Sequence, residues 1–183
     1  DFSSRHIVVV GLGGTGAQAA RGIARVLYAM KLNGIRIPRL VLIDPDTVED
    51  KNIGRQLFTH GDKGKNKATV VMQRLNAAYG LACYAVPKPV SAAYLSNARL
   101  IVGCVDNHAA RQVIHNFLAG YYPYDTQCVW IDAGNHRDSG QVCLGDSAKD
   151  TRPIHPDAQG AYKYLPTPSR LLPDLLAPEP TNQ

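Results

Sequence analysis

A run of glycines and a spaced set of polar side chains give this chain the means to hold a phosphate. Gly11, Gly13, Gly14 and Gly16 stand within GLGGTG, and Asp44, Asn52, Arg55, Gln56, Lys67, Asp106 and Asn107 follow at intervals. A glycine has no Cβ, so its backbone N–H can approach an anion closely. Asp44 closes the apolar run RLVLI. An acid at such a strand end commonly accepts hydrogen bonds from ribose hydroxyls; the plainer reading is a cap on the turn at Pro45. Asp46 reads at least as well as a turn former. Arg55, in NIGRQ, offers a planar fork that matches phosphate oxygens, and a nicotinamide dinucleotide has no need of it. Lys67 opens a helix, where a cation opposes the helix dipole; that position makes sense opposite an anion. Either cation alone reads as ordinary solvent exposure, and the two together after a glycine loop favour phosphate. Asp106 follows an apolar run and suits Mg²⁺, which takes few carboxylates and otherwise phosphate oxygens and water. It equally suits capping the helix that starts at Asn107. Asn107 and Arg111 read as positioning ligand or helix, and Asn135 and Gln141 as lining a partner groove. The six histidines show no ligand spacing.

These groups need a scaffold that brings them together. Ile7–Val10 is β-branched throughout and predicts a buried strand. After the glycine turn, Thr15–Met30 predicts a helix with Ala17, Ala20, Ala24 and Leu27 inward and Gln18, Arg21 and Arg25 outward. Further strands are predicted at Arg39–Ile43, Leu81–Val86, Arg99–Val105 and Gln127–Ala133, with a sixth at Ser139–Leu144. Helices are predicted at Asn66–Tyr79, with Val70, Val71, Leu75 and Ala78 inward, and at about Asn107–Leu118, with Ala110, Val113, Ile114 and Phe117 inward. One helical turn fits within Thr47–Gln56. Wholly apolar strands alternating with amphipathic helices predict an α/β, Rossmann-like fold: a mostly parallel sheet with helices on both faces. Ligands of such sheets bind beyond the carboxyl ends of the strands. Gly11–Gly16, Asp44–Asp46 and Asp106–Asn107 all fall at such ends, which predicts a single crevice.

The length of 183 residues suits one α/β domain over residues 1–150. Residues 151–183 carry Pro153, Pro156, Pro166, Pro168, Pro173, Pro178 and Pro180, which break any long element and predict an extended tail or crossover segment. The formal charge is +5, but the basic residues are scattered and form no arm, so nucleic acid is not expected. No apolar run approaches the ~20 residues of a membrane span, and no leader segment is evident. Cys83, Cys104, Cys128 and Cys143 lie in apolar, strand-like segments without a CxxC pair. They read as buried reduced thiols of a cytoplasmic protein, not as a zinc site.

In order and spacing, GLGGTG, IDPDTVEDKNIGRQ, GKNKA and CVDN with Arg111 resemble the ThiF/MoeB family, the adenylating enzymes related to ubiquitin-activating enzymes. The resemblance runs from about Ile7 to Leu144, and within the family it is greatest to the ThiF-like proteins of the bacterial PRTRC genetic system. It implies an ATP-binding domain, usually paired as a homodimer. It implies that Mg·ATP adenylates the C-terminal carboxylate of a small ubiquitin-like protein and releases pyrophosphate. Carried over by position, Gly13 and Gly14 belong to the nucleotide loop, Asp44 binds ribose, and Asn52, Arg55 and Gln56 contact the phosphates. Lys67 serves the α-phosphate region and Asp106 the Mg²⁺. A carboxylate that is already ionised needs no general base. Three departures stand out: almost nothing precedes Ser4 to supply an arginine finger, no zinc CxxC pair is present, and no cysteine follows Pro166. Adenylation without a thioester is therefore the expectation. Two other readings stay open: a nucleotide-holding scaffold without catalysis, and an NAD-dependent oxidoreductase, which leaves Arg55, Lys67 and Asp106 idle.

Overall fold

The computed structural model describes residues 5–120, 128–135, 139–146, 158 and 165–177. Strands β1 (His6–Val10), β2 (Arg39–Ile43), β3 (Tyr84–Val86), β4 (Ala98–Gly103), β5 (Val129–Asn135) and β6 (Gly140–Asp146) form one sheet in the order β3-β2-β1-β4-β5-β6. The first five are mutually parallel, and β6 runs antiparallel to β5. Chain order reverses between β1 and β4. That is the switch point of a doubly wound sheet, where a crevice opens beyond the strand ends.

Alternation along the strands builds two cores. Val9, Leu40, Leu42 and Val102 face α1 (Gly14–Leu32) and α2 (Lys67–Tyr79), together with Ala17, Ala20, Ala24, Leu27 and Leu75. Val8, Val10, Val41, Ile43 and Ile101 face the other way, against α4 (His108–Gly120) through Ile114, Phe117 and Leu118, and against Leu95 of α3 (Ala92–Leu95). Each face is thus covered, as uniformly apolar strands require. Among the described residues, no helix is long and apolar enough to cross a membrane.

Several expected boundaries move, each for a local reason. β3 begins at Tyr84, because the Cys83 N–H donates to the Asn76 side chain at 2.8 Å and not to a neighbouring strand. Ala78 is exposed, since α2 leaves the sheet in its last turn before the left-handed Gly80 (φ 57°). The helical turn expected within Thr47–Gln56 is a 3-10 turn at Asp50–Asn52. Cys83 and Cys128 are buried, whereas Cys104, just past the end of β4, and Cys143, on the edge strand, are only half-buried. Among the described residues none of the four is joined in a disulfide.

Residues 165–177 fold back beside β6. The Asp146 N–H donates to the Leu165 carbonyl at 3.0 Å. Pro166 passes so near Gly145 that a Cβ there would lie 1.8 Å from its carbonyl oxygen. α5 (Pro168–Leu171) and a 3-10 turn at Pro173–Leu176 follow, each begun by a proline. His115 Nδ1 lies 2.8 Å from the buried Ser169 hydroxyl, tying this segment to α4. Pro153, Pro156, Pro178 and Pro180 lie outside the described residues.

Candidate functional site

A cleft of about 800 Å³ opens at the switch point between β1 and β4. Its floor is the glycine loop. Gly11 adopts φ 85°, and a Cβ there would lie 2.6 Å from the Cys104 carbonyl oxygen. Gly16 is tighter still: its Cβ would meet the Gly11 carbonyl at 1.8 Å. Gly16 thus seats α1 against the loop and does not line the cleft, unlike Gly11, Gly13 and Gly14. α1 begins with Gly13 as its cap, without a side-chain cap bond or any acid in its first turn. First-turn amides have no intrahelical acceptor, and Gly13, Gly14 and Thr15 at this helix start line the cleft; such a helix start suits an anion.

Asp44 closes β2 and is buried. One carboxylate oxygen accepts the Leu12 N–H at 2.5 Å and the other the Asp46 N–H at 2.8 Å. Burial pushes this carboxyl above its ordinary range, against the pull of those two N–H groups. Asp44 therefore braces the glycine loop while its remaining lone pairs face the cleft that it lines.

Lys67 is carried by the first turn of α2. Asn66 caps that helix by accepting the Thr69 N–H at 3.0 Å, and its amide donates to the carbonyls of Asp44 and Asp46. The helix start is thereby fastened to the exit of β2. The buried Lys67 ammonium reaches into the cleft and pairs with the exposed Asp46 carboxylate at 2.9 Å. Its anionic partner among the described residues is thus Asp46, which the sequence presents as a turn former.

Arg55 and Gln56 line the cleft, and Asn52 does not. Asn52 is buried, and its side chain accepts the Glu49 N–H at 2.9 Å, closing the 3-10 turn. The Asn52 carbonyl then accepts the Gln56 N–H, and Gly54 takes φ 80°. Asn52 shapes the turn that presents Arg55. The Arg55 guanidinium makes no ion pair or hydrogen bond with another described residue. The Gln56 amide lies against the loop, its Nε2 3.7 Å from where a Gly13 Cβ would stand, and its buried Oε1 has no partner among the described residues.

Asp106 follows β4 and is exposed at the cleft rim. Asn107, not Asp106, caps α4: its Oδ1 accepts the Ala110 N–H at 2.9 Å. That leaves the Asp106 carboxylate without capping duty. No group of three or more acid, histidine or cysteine side chains suited to a metal occurs among the described residues. A lone carboxylate on a cleft floored by a glycine loop is compatible with Mg²⁺, which needs one or two carboxylates and fills its shell with phosphate oxygens and water. Pro89, Val90, Ala110 and Val113 form an apolar wall. Ala110 and Val113 read from sequence as core; they sit half-buried because their side of α4 meets this cleft.

A second cavity of about 670 Å³ adjoins the first and shares Cys104, Val105, Asp106 and Asn107 with it. Its other walls include Arg111, Gly134 and Gln141, and Leu172, Asp174 and Leu175 from the returning segment. Arg111 is paired with Asp132, which is buried on β5 and missed by sequence reasoning because it stands inside an apolar strand. Burial raises the Asp132 carboxyl against the opposing pull of Arg111. Burial also pushes the Cys104 thiol up to about 11, and the Asp132 charge adds to it, so Cys104 is a poor thiolate at neutral pH. The Asn135 side chain and the histidines at 136 and 155 lie outside the described residues.

A doubly wound sheet, a glycine-rich helix start without a side-chain cap at its switch point and a strand-end acid beside it define a nucleotide-binding, Rossmann-like domain. The chain belongs to the ThiF family, which it matches over residues 1–164. It is 29% identical over 121 residues to the adenylyltransferase and sulfurtransferase UBA4 of Yarrowia lipolytica (strain CLIB 122 / E 150), covering 63% of this chain and 28% of that one. It is 34% identical over 116 residues to the sulfur carrier protein ThiS adenylyltransferase of Escherichia coli (strain K12), covering 60% and 43%. The chain thus spans less than half the length of either relative. In fold it is similar to E. coli tRNA N6-threonylcarbamoyladenosine dehydratase, TcdA, with a TM-score of 0.52 at 24% identity over 70% of this chain and 58% of that one. A similar likeness, TM-score 0.54 at 23% identity, links it to PaaA over 73% and 41%.

Proposed function

We propose that this chain activates a carboxylate by adenylation, with ATP as co-substrate and the C-terminus of a small ubiquitin-like protein as acceptor. The observation that carries the reading is a convergence. Arg55, Lys67 and Asp106, from three separate segments, line the same cleft as the open glycine loop. Two curated relatives are named adenylyltransferases, one of them for a sulfur carrier protein. We assign Asp44 to the ribose, the glycine loop, Arg55 and Gln56 to the phosphates, and Lys67 to the α-phosphate region. Asn52 and Gly16 support these residues from behind, and Asn107 fixes the rim.

In the reaction an acceptor carboxylate oxygen bonds to the α-phosphorus, and the bond to the bridging oxygen of pyrophosphate breaks. Both partners are anions, so fixed positive charge must offset their repulsion. Preorganised groups of this kind contribute factors of about 10²–10³ each. Arg55, which has no ion pair among the described residues, does so directly; Lys67 does so by exchanging Asp46 for a phosphate oxygen. Asp106 would hold Mg²⁺, which supplies charge neutralisation of the phosphates when bound. The second cavity, with Gln141 on its wall, receives the acceptor's C-terminal segment and meets the nucleotide at Asp106. Residues 1–150 form the adenylation domain in this reading, and the proline-rich remainder is a crossover segment, of which Leu172, Asp174, Leu175 and Ala177 wall the acceptor cavity. A homodimer, a cytoplasmic location and membership of the PRTRC-type subgroup complete it, with no nucleic-acid partner.

The test has two stages. Mg·ATP should raise the melting temperature of the chain and NAD should not; stabilisation by NAD alone favours an oxidoreductase. Small ubiquitin-like proteins with free C-termini should then support exchange of labelled pyrophosphate into ATP. Binding of ATP with no exchange for any of them favours a non-catalytic scaffold.

A further inference from the structure

The Asp132 carboxylate accepts the Arg111 Nε–H, at 3.1 Å on one oxygen and 3.2 Å on the other. Arg111 also donates Nη2–H to the Val105 carbonyl at 2.7 Å. Two glycines clear the space for this pair. A Cβ on Gly103 would stand 3.2 Å from Asp132 Oδ2, and one on Gly134 would stand 3.3 Å from Arg111 Nη2. Val105 directly precedes Asp106. On the strand side, the Cys104 N–H donates to the Val10 carbonyl at 2.8 Å, and on the helix side Asn107 caps α4. The backbone is therefore tied on both sides of Asp106, whose carboxylate stays exposed where the two cavities meet.

We propose that Arg111 and Asp132 are positioning residues for Asp106. They lock the Val105 carbonyl, so the carboxylate is presented at the junction of the cavities. The proposal rests on the reading that Asp106 holds the metal beside the phosphates. Asp132 has a second task here. Arg111 faces the cavity assigned to an incoming carboxylate, and an unpaired guanidinium there would capture it. Pairing with a buried acid neutralises Arg111 and fixes its plane. Lysine would not replace it, because a point charge lacks the fork that reaches Asp132 and Val105 together.

The experiment uses Mn²⁺ as the metal probe, with its affinity for the protein–ADP complex read by electron paramagnetic resonance. ADP affinity in EDTA, read by calorimetry, reports the intact cleft. Groups that orient a metal ligand typically govern about 10–100-fold of metal affinity. Arg111→Lys should lower Mn²⁺ affinity within that range and leave metal-free ADP binding unchanged. In an Asp106→Ala background the same change should have no further effect. Gly134→Ala, which presses on the guanidinium without removing a charge, should shift Mn²⁺ affinity in the same direction, and it carries the test if Arg111→Lys does not fold. An equal loss with and without Asp106, or unaltered Mn²⁺ affinity in the variants, overturns the proposal. If Asp106→Ala alone leaves Mn²⁺ affinity intact, the metal assignment itself fails and the proposal falls with it.

Discussion

Lys67 and Asp46 form an ion pair at 2.9 Å inside the cleft, with the ammonium buried and the carboxylate largely exposed. The pair is asymmetric in what it can give up. Asp46 can turn to water at little cost, whereas Lys67 has only the cleft to face. A phosphate entering the cleft therefore competes with Asp46 for the same ammonium.

Asp46→Asn should tighten ATP binding. Partly exposed pairs are worth about 0.2–1 kcal/mol, which corresponds to a gain of about 1.5–5-fold in affinity. Isothermal titration against wild type reads this directly. Weaker binding would mean that Asp46 contributes to the nucleotide site and does not oppose it.

The glycines of the loop should separate into two classes. Gly16→Ala places a Cβ 1.8 Å from a backbone oxygen and should cost about 1–3 kcal/mol or more through overpacking, seen as a lowered melting temperature. Gly13→Ala meets nothing nearer than 3.7 Å and should fold normally while weakening ATP binding. Equal melting temperatures for the two variants would contradict this division.

Much of this arrangement is legible before folding is considered. β1 and β2 are apolar at nearly every position, and only a strand buried on both faces explains such runs. The helix starts at Gly14 and Lys67 follow from the glycines and from Asn66. Asn52 and Asp132 were less legible. A polar residue inside a motif reads as a ligand, but Asn52 spends its side chain on a turn. A charge inside an apolar strand carries no motif to single it out, and Asp132 is tolerated there because Arg111 neutralises it. The cap of α4 falls at Asn107, one residue after Asp106, because Asp and Asn stand side by side and either can cap. The second cavity's outer wall was not foreseeable, since the proline-rich stretch has no periodicity and its place depends on Gly145 and His115.

Acid stability should carry the mark of Asp62. Burial pushes this carboxyl up, but the Thr59 N–H at 2.7 Å, its hydroxyl at 2.9 Å and the Arg74 guanidinium outweigh it and hold the group below its ordinary range. The folded protein thus binds fewer protons here than the unfolded chain. The stability from this group is complete above the ordinary carboxylate value of about 4 and is lost as pH falls through the folded value. Asp62→Asn should lower the melting temperature at pH 7, and the gap to wild type should close in acid. A gap that stays constant with pH would show that Asp62 acts by packing alone.

The most direct test of the account is pyrophosphate exchange into ATP, supported by a ubiquitin-like acceptor, with the nucleotide products identified for wild type, Arg55→Ala and Lys67→Ala. The predicted products are the acyl-adenylate of the acceptor and pyrophosphate, with each variant slower by about 10²–10³-fold while remaining folded. Release of ADP and phosphate, or variants that exchange as fast as wild type, would contradict it.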